Sequence, residues 1–295
     1  MQARTTCCSN GTVNSFCDLS KYAMAAIAVI IVTHDSEKVL VPCMESLARY
    51  GGDCTVCIVD SGSSDTSYLR EYEAHPHLRV VYQGDIGFGR ANNVGYQHSD
   101  SGAEYIVFLN PDAFITEHTF SEAVKALSSD TDAVCLGGRL LGYDLETMRP
   151  TGKLDSTGIF RKWYGRWFDR GQGEPDSGQY GHPERLPAAC GAFLFCRKEK
   201  LEQLSLADGQ VFDPDFFLYK EDIELGLRVA ASRWHTLYAP GVKVYHCRGW
   251  QHRQQMSHRF RLMAAENEIL LYRKHPSAYL AWAWLKYILV RLFII

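Results

Sequence analysis

Short apolar segments alternate with amphipathic segments through the first 130 residues, and this alternation constrains the fold more than any other feature. Continuous aliphatic runs, such as Ile-Ala-Val-Ile-Ile-Val at 27–32, are typical of strands buried on both faces. We therefore predict an α/β chain with a Rossmann-like, mostly parallel central sheet flanked by helices. The predicted strands cover 27–33, 56–59, 78–82 and 105–109, and the predicted helices cover 37–50, 65–74, 91–98 and 119–127.

Polar motifs follow the end of each of these four strands, at 33–35, 60–65, 85–93 and 110–112. Ligands of such sheets bind beyond the carboxyl ends of the strands. The four motifs are therefore predicted to share one site. The second half is less regular, with a small-residue strand at 186–196, a helix at 221–232 and short strands at 235–239 and 242–245.

Composition excludes some classes of function. The net charge of −3 gives no support for nucleic-acid binding, so an anionic ligand would need a local basic or metal site. The ten cysteines are scattered, which favours a reducing cytosol, and the pair Cys54 and Cys57 is interpreted as part of a strand. Residues 1–23 show no periodicity and are predicted to be a poorly ordered arm.

The chemistry of the motifs indicates a nucleotide ligand, although each motif has a structural alternative. Asp60 is suited to accept a hydrogen bond from the imide N–H of uracil or thymine, or it belongs to a capped turn. The glycine loop at 87–95 opens a helix, where an anion is favoured. Asp112 is a ligand type that hard divalent cations prefer, whereas Asn110-Pro-Asp by itself is also a turn. A lone histidine such as His246 is more often structural.

Glu221 and Asp222 precede a predicted helix, where carboxylates are stabilised by the helix dipole. Either residue is also suited to be a general base. Their position alone does not separate these two interpretations.

The ordered set of motifs resembles the inverting glycosyltransferases of family 2 with the GT-A fold, particularly the rhamnosyltransferase-like branch. The set comprises IIVTHD, VDSGSSD, GFGRANNVG, LNPDA, GAFL, FFLYKEDIELGLR and VYH, and it covers about residues 26–246. The resemblance implies a GT-A domain at 24–250. It also implies a base at Asp222 with Glu221 beside it, and a Mg²⁺ or Mn²⁺ site at Asp112, His246 and Asn110. The donor-binding set so assigned is Thr33, Asp35, Asp60, Asp65, Gly87, Phe88, Asn92, Asn110 and Gly191. Two positions depart from the family pattern: Asp85 replaces an asparagine, and Asn110 replaces the first aspartate of a D-x-D motif.

The implied reaction transfers a sugar from a nucleoside diphosphate to a hydroxyl of a glycan or lipid-linked saccharide acceptor in cell-surface polysaccharide synthesis. The leading donor is dTDP-L-rhamnose, and the alternative is a UDP-hexose (glucose, galactose, galactofuranose or N-acetylhexosamine). A nucleotidyltransferase would have a basic glycine-rich loop after the first strand, which 33–37 does not provide. A non-catalytic sugar-binding relative would lack the Glu221–Asp222 pair or the Asp112 and His246 set.

The last 45 residues, 251–295, are predicted to be an amphipathic helical extension. Lys286 and Arg291 interrupt its aromatic and aliphatic run, which favours an interfacial helix over one that spans a bilayer. The alternative is a helix packed on its own domain or on a partner. We therefore expect a cytoplasmic protein bound peripherally to the inner membrane. Arg248 and Arg253 are further candidates for contact with the diphosphate, and the loops at 154–158 and 169–173 for contact with the acceptor.

Overall fold

The computed structural model describes residues 26–247 and 257–293. Its centre is a ten-stranded sheet in the order β10-β12-β6-β11-β4-β1-β2-β3, with β5 added to β12 and β7 added to β6. The predicted arm at 1–23 and the candidate residues Arg248 and Arg253 lie outside the described residues. The strands are β1 (Ile27–Thr33), β2 (Thr55–Ser61), β3 (Leu78–Gln83), β4 (Tyr105–Leu109), β5 (Ala113–Ile115), β6 (Ala133–Asp144), β7 (Arg149–Ser156), β8 (Ile159–Arg161), β9 (Trp167–Asp169), β10 (Glu184–Leu186), β11 (Phe193–Arg197) and β12 (His235–His246).

The first four strands confirm the predicted parallel sheet. β1 lies between β2 and β4, and all three strands run in the same direction. Their side chains are buried because helices cover both faces of the sheet, which explains the continuous aliphatic runs. The helices are α1 (Glu37–Tyr50), α2 (Arg70–Glu73), α3 (Phe88–His98), α4 (Thr119–Ser129), α5 (Lys198–Leu204), α6 (Glu221–Ala231), α7 (His258–Lys274) and α8 (Leu280–Phe293).

The second half adds antiparallel strands to this sheet. β11 runs antiparallel between β4 and β6, so the residues that precede β11 lie at the carboxyl end of β4. β12 runs parallel to β6, and its last residues pair with β5. Residues 191, 110 and 246 are thereby brought to the same edge of the sheet as the motifs of the first half.

Two strand predictions were wrong in the second half. The strand expected at 186–196 is limited to β11, which begins at Phe193, and 187–192 belong to none of the twelve strands. The strands expected at 235–239 and 242–245 are a single strand, β12, with an irregularity in register between Ala239 and Lys243. Pro240 and Gly241 gave a turn signal in the sequence. Pairing with the twelve-residue β6 on both sides of that dipeptide keeps the chain extended.

Two helix starts also differ from prediction. The helix expected from about 65 to 74 is a 3₁₀ turn, Ser67–Leu69, followed by the four-residue α2. The Asp65 carboxylate accepts hydrogen bonds from the backbone N–H and hydroxyl of Ser67, at 2.8 and 3.0 Å, and this tightens the turn. Helix α3 begins at Phe88, three residues earlier than predicted, because Ala91 N–H already donates to Gly87 C=O at 3.0 Å.

The C-terminal extension is two helices that pack on each other and on the domain. Lys286 of α8 pairs with the fully buried Glu268 of α7, at 2.5 Å between Nζ and Oε2. The sequence interpretation of Lys286 as an interfacial cation was therefore wrong, since its charge is used between the two helices. Tyr272 of α7 donates a hydrogen bond to Gly165 C=O, at 2.9 Å, in the turn between β8 and β9. None of the helices that the structure describes is both long and apolar enough to cross a membrane.

Candidate active site

Thr33 and Asp60 lie side by side at the ends of β1 and β2, where they are register partners. Both side chains are buried, and Thr33 Oγ1 donates to Asp60 Oδ1 at 3.2 Å. Ser63 donates its backbone N–H to Asp60 Oδ2 at 3.1 Å, and its hydroxyl also donates to Asp60. A carboxylate has about four acceptor sites. The contacts from Thr33 and Ser63 occupy most of them, leaving room for one further donor.

Asp35 ties the loop after β1 to the loop after β2. Its backbone is left-handed, with φ 47°, and its Oδ1 accepts from the backbone N–H and hydroxyl of Ser64, at 2.7 and 2.9 Å. These hydrogen bonds hold the pKa of Asp35 below its usual value. Asp65 is turned toward Ser67, and the same kind of contact lowers its pKa. The structure thus gives Asp35 and Asp65 roles in shaping the loops.

The glycine loop packs on the loop that precedes α6. Gly87 has φ 82°, and a Cβ there would lie 2.3 Å from the carbonyl oxygen of Phe217. The N–H of Phe88 donates to that same carbonyl at 2.8 Å, so the first amide of α3 is engaged within the protein. Asn92 is buried and donates to Phe88 C=O at 3.0 Å, which supports the first turn of α3. Gly87 and Phe88, which belong to the predicted donor set, therefore also hold the loop that leads to Glu221 and Asp222.

Residues 211–222, which we call the catalytic loop, are held from several sides. Asn93 of α3 accepts hydrogen bonds from the N–H groups of Val211 and Phe212, at 3.0 and 2.9 Å, and donates to Phe212 C=O at 2.7 Å. The loop ends with Tyr219 and Lys220 in the left-handed region, at φ 73° and 80°. Two successive non-glycine residues in that region store backbone strain, which persists only where surrounding contacts hold it.

Asp222 is half-buried at the start of α6, and its carboxylate faces the residues before β11. Gly191 N–H donates to its Oδ2 at 3.1 Å, and Ile223 N–H donates to its Oδ1 at 2.8 Å. Burial raises the pKa of Asp222, and the charge of Asp169 adds to that effect, while both N–H donors oppose it. A Cβ at Gly191 would lie 3.5 Å from Asp222 Oδ2, so Gly191 leaves this carboxylate room for a ligand on that side.

Glu221 is more deeply buried than Asp222. Only 6% of its surface is exposed, and its Oε2 accepts no hydrogen bond from any residue that the structure describes. Burial, together with the charge of Asp222, raises the pKa of Glu221 to about 8. A buried carboxyl without a partner is costly in its charged form, so Glu221 holds a proton near neutral pH.

Asp112 and His246 meet at the other end of the site. His246 ends β12 and pairs with Ala113 of β5, which puts its Nε2 3.3 Å from Asp112 Oδ1. Its Nδ1 lies 2.8 Å from Oδ2 of the fully buried Asp155 on β7. Burial opposes the charged imidazole, but Asp112 and Asp155 outweigh it and raise the pKa of His246 to about 9.

Asn110 joins this group to Gly191 and Asp222. Its N–H donates to the carbonyl of Ala192 at 2.9 Å. Within the described residues its side-chain Oδ1 is buried and has no hydrogen-bond partner. A buried acceptor of this kind is a feature that a bound cation or donor group would satisfy.

The structure also shows site residues that sequence reasoning missed. Asp155 was assigned to an acceptor-side loop, yet it lies against His246; the pairing of β7 with β6 that places it there was not visible in the sequence. Asn93 and Asn267 were given no role of their own. Both amides are buried, and their burial and hydrogen bonds are visible only in the structure.

No set of three His, Cys, Asp or Glu side chains within 26–247 and 257–293 is arranged to hold a metal ion alone. Asp112 and His246 nevertheless provide a carboxylate oxygen and an imidazole nitrogen facing each other, and Asp155 fixes the imidazole ring from behind. That arrangement, with the unsatisfied Asn110 oxygen nearby in sequence, fits a divalent cation that takes its remaining ligands from a diphosphate.

The raised pKa of Glu221 makes stability depend on pH in a defined direction. The folded state binds this proton up to about pH 8, whereas an unfolded glutamate releases it near its ordinary value of 4.5. The contribution of Glu221 to stability therefore falls as pH rises from about 4.5 to about 8. We expect Glu221→Gln to gain stability over the wild type at pH 8.5 relative to pH 5, measured by urea unfolding.

Glu117→Gln, at an exposed carboxylate, is the control and is expected to show no such change. An equal stability difference for Glu221→Gln at both pH values would contradict the buried, protonated state.

Comparison with known proteins agrees with this geometry. The family model "Glycosyl transferase family 2" matches residues 28–204, which include the ends of β1, β2 and β4 and Gly191. Two Mycobacterium tuberculosis proteins, from strains CDC 1551 and H37Rv, are named N-acetylglucosaminyl-diphospho-decaprenol L-rhamnosyltransferase. Each is 25% identical over 212 residues, which is 65% of this chain and 66% of the relative. The chain thus spans about two thirds of the length of these relatives.

Similar solved structures share the fold at low identity. GalNAc-T7 with UDP, GalNAc and Mn²⁺ has a TM-score of 0.64 at 16% identity, covering 84% of this chain and 48% of that one. The mannosyltransferase PcManGT of Pyrobaculum calidifontis, with GDP-Man and Mn²⁺, has a TM-score of 0.55 at 17% identity, covering 90% and 70%. TarS 1–349 of S. aureus with UDP-GlcNAc has a TM-score of 0.53 at 16% identity, covering 89% and 72%.

The family match covers more than half of the chain, and the solved neighbours have the same α/β architecture. The predicted GT-A fold and family resemblance are confirmed. The chain belongs to glycosyl transferase family 2 and is a glycosyltransferase.

Proposed function

We propose that this protein transfers a sugar from a nucleoside diphosphate to an acceptor hydroxyl with inversion, and that Asp222 is the base. The observation that carries the proposal is the contrast within the acidic pair. Asp222 is half-buried and oriented by two backbone N–H groups, whereas Glu221 is buried and protonated. Burial raises the pKa of Asp222, but the two N–H donors favour its charged form, and Asp222 is the more exposed carboxylate of the pair.

Asp222 would take the proton of the acceptor hydroxyl as that oxygen attacks the anomeric carbon. The bond from that carbon to the nucleoside diphosphate breaks on the opposite face, which inverts the anomeric configuration. Gly191 N–H holds the carboxylate in position, and the missing side chain at Gly191 leaves room for the acceptor. Glu221, as a neutral acid beside it, is suited to orient the acceptor without repelling it.

The nucleoside is proposed to bind at Asp60, whose remaining acceptor site suits the imide N–H of uracil or thymine. Thr33 and Asp35 shape the surrounding loops. The proposed donor is dTDP-L-rhamnose and the proposed acceptor a lipid-linked saccharide in cell-surface polysaccharide synthesis. The names of the mycobacterial relatives support both choices. A UDP-hexose is the alternative donor, because two solved neighbours contain UDP or UDP-GlcNAc.

A divalent cation, Mg²⁺ or Mn²⁺, is proposed to be held by Asp112 and His246 with Asn110 nearby. When bound, it would supply positive charge to the leaving diphosphate. Asp155 would hold the Nδ1 proton of His246, which leaves Nε2 to face the cation. Two neighbours were solved with Mn²⁺, which supports a cation of this type.

The reaction is tested with a panel of dTDP- and UDP-sugars, Mn²⁺ or Mg²⁺ and a saccharide acceptor, by measuring release of nucleoside diphosphate. We expect release from dTDP-L-rhamnose in the wild type. Asp222→Asn should lower kcat by roughly 10²- to 10⁴-fold, because the base is lost, while donor binding in calorimetry persists. The matched control is Asp208→Asn, an exposed aspartate in a turn outside the site, which should keep full turnover.

Turnover that survives Asp222→Asn would reject the assigned base. Release of pyrophosphate in place of nucleoside diphosphate would reject the transferase reaction itself.

The proposed metal site at Asp112 and His246 gives a separate prediction. Asp112→Ala should raise the Mn²⁺ concentration for half-maximal turnover, since one oxygen ligand is lost. Asp155→Asn should raise it by roughly 10- to 100-fold, because the His246 ring is then less well oriented. Mn²⁺ titrations of activity measure both, and full activity of the wild type after chelation would contradict the proposal.

The exposed side of α8 is proposed to lie on a membrane surface, where a lipid-linked acceptor would be found. Trp284, Leu285, Ile288 and Leu292 are 40 to 66% exposed and occupy one side of the helix. Lys286 is turned to Glu268, and the exposed Arg291, seven residues after Trp284, is the cation on this side of the helix. No acidic residue occurs in α8, and Arg273 lies 5.5 Å from the Trp284 ring, which suits an anionic interface.

The triple variant Leu285→Ser, Ile288→Ser and Leu292→Ser should lose flotation with vesicles containing phosphatidylglycerol, because the exposed apolar area is removed. It should retain turnover with a water-soluble acceptor. Val41→Ser, at an apolar position of α1 that is 44% exposed, is the control and should float like the wild type. Equal flotation of the triple variant would contradict membrane contact through α8.

A further inference from the structure

Asn267 of α7 contacts the strained end of the catalytic loop. Its Nδ2 donates to Leu218 C=O at 2.8 Å and to Tyr219 C=O at 3.0 Å, and the residue is only 8% exposed. A primary amide has two N–H donors. Both are directed at consecutive carbonyls of the segment that leads into Asp222.

These carbonyls need such a donor because of the local backbone. Tyr219 and Lys220 are left-handed, and the helix that follows begins only at Glu221, so the loop here has no regular pairing. Buried carbonyls without a donor are costly, and a left-handed pair of non-glycine residues relaxes unless its neighbours prevent it. The Asn267 side chain supplies hydrogen-bond donors next to these strained residues.

Helix α7 contacts the loop at further points. Lys274 Nζ lies 2.7 Å from Asp213 Oδ2 and 2.6 Å from Asp215 Oδ2. His275, just after α7, lies 3.2 Å from Glu224 of α6. The start of the loop is also fixed by Asn93 of α3, so the loop is held both by the main domain and by α7.

We propose that Asn267 is a positioning residue for the transfer reaction: from the C-terminal helices it holds the left-handed turn at Tyr219 and Lys220, and so aims Asp222 at the acceptor. The inference rests on the proposed function for its catalytic consequence. The effect on loop conformation does not depend on it. The C-terminal extension is thereby part of the catalytic apparatus, although none of its described side chains needs to touch the substrate.

The groups around Asp222 determine how its pKa would change if the loop became less rigid. Burial and the charge of Asp169 of β9 disfavour the charge of Asp222, while the N–H groups of Gly191 and Ile223 and the charge of Lys220 favour it. Glu268 of α7 and Lys286 of α8 act in turn on Lys220. If the turn relaxes, water reaches the acidic pair and the burial that disfavours ionisation is lost. The pKa of Asp222 then falls, so the acidic limb of the pH–rate profile moves to lower pH.

The test uses the full chain with Asn267→Leu, which has the same branched shape and no donor, and Asn267→Asp, which has only acceptors. We expect kcat to fall roughly 10- to 100-fold with the KM for donor nearly unchanged, because the base is displaced while the nucleoside site remains intact. The acidic limb should shift to lower pH, and amide hydrogen exchange in 213–222 should accelerate. Asn267→Gln, which keeps the amide, should recover part of kcat.

Tyr272→Phe is the matched control, because it removes one hydrogen bond from the same helix to a carbonyl of a different turn. It should lower the melting temperature by a comparable amount while the pH–rate profile and the exchange of 213–222 stay unchanged. Wild-type kcat, pH profile and loop exchange in Asn267→Leu would overturn the proposal, as would the same kcat loss in Tyr272→Phe. If the wild type turned over no donor, the proposed function would fail, and the exchange measurement would still decide the role of Asn267.

Discussion

The reversal of β11 between β4 and β6 is the constraint on which the site depends. A parallel strand in that place would have put Gly191 at the opposite edge of the sheet, far from the carboxyl ends of β1, β2 and β4. Because β11 is antiparallel, Gly191 and Ala192 lie beside Asn110, and Gly191 N–H reaches the Asp222 carboxylate at 3.1 Å. This hydrogen bond joins the carboxyl edge of the parallel strands to the helix that carries the acidic pair.

The acidic pair is kept in a state that the isolated residues would not adopt. Glu221 is buried with an oxygen that has no hydrogen-bond partner in the described chain, and it follows two left-handed residues. Both features cost stability, and both are maintained by amides from other elements, namely Asn93, Asn267 and the N–H of Phe88. The two carboxylates thereby have different environments, since Glu221 is buried with a pKa raised to about 8, whereas Asp222 is more exposed and accepts two N–H hydrogen bonds.

The C-terminal helices have an inner side, which packs on the domain, and an outer side, which faces solvent. Their inner side contributes the amide of Asn267 and the ion pair between Glu268 and Lys286. The outer side of α8 presents large apolar residues to solvent. In the sequence, the inward-facing Lys286 stands in the same turn as outward-facing apolar residues. The segment therefore resembled a single interfacial helix. The ion pair shows why that cation is there, because it offsets the charge of a glutamate that is fully buried.

The parallel half of the sheet could be predicted from local patterns, because buried strands and amphipathic helices have distinct periodicities, and β4 was predicted with its observed bounds. The residue types at the strand ends can also be seen in the sequence, and the family resemblance of the ordered motifs predicted Thr33, Asp60, Asn110 and Asp112 as site residues. Only the tertiary structure decided that β12 is continuous, that Asp155 lies behind His246, and that Asn267 holds the catalytic loop. The contacts of Asn267 with Leu218 and of His246 with Asp155 join residues 49 and 91 positions apart in the chain, and the continuity of β12 depends on its pairing partner. Local sequence patterns contain no information on such contacts, because periodicity reports only which face of an element is buried.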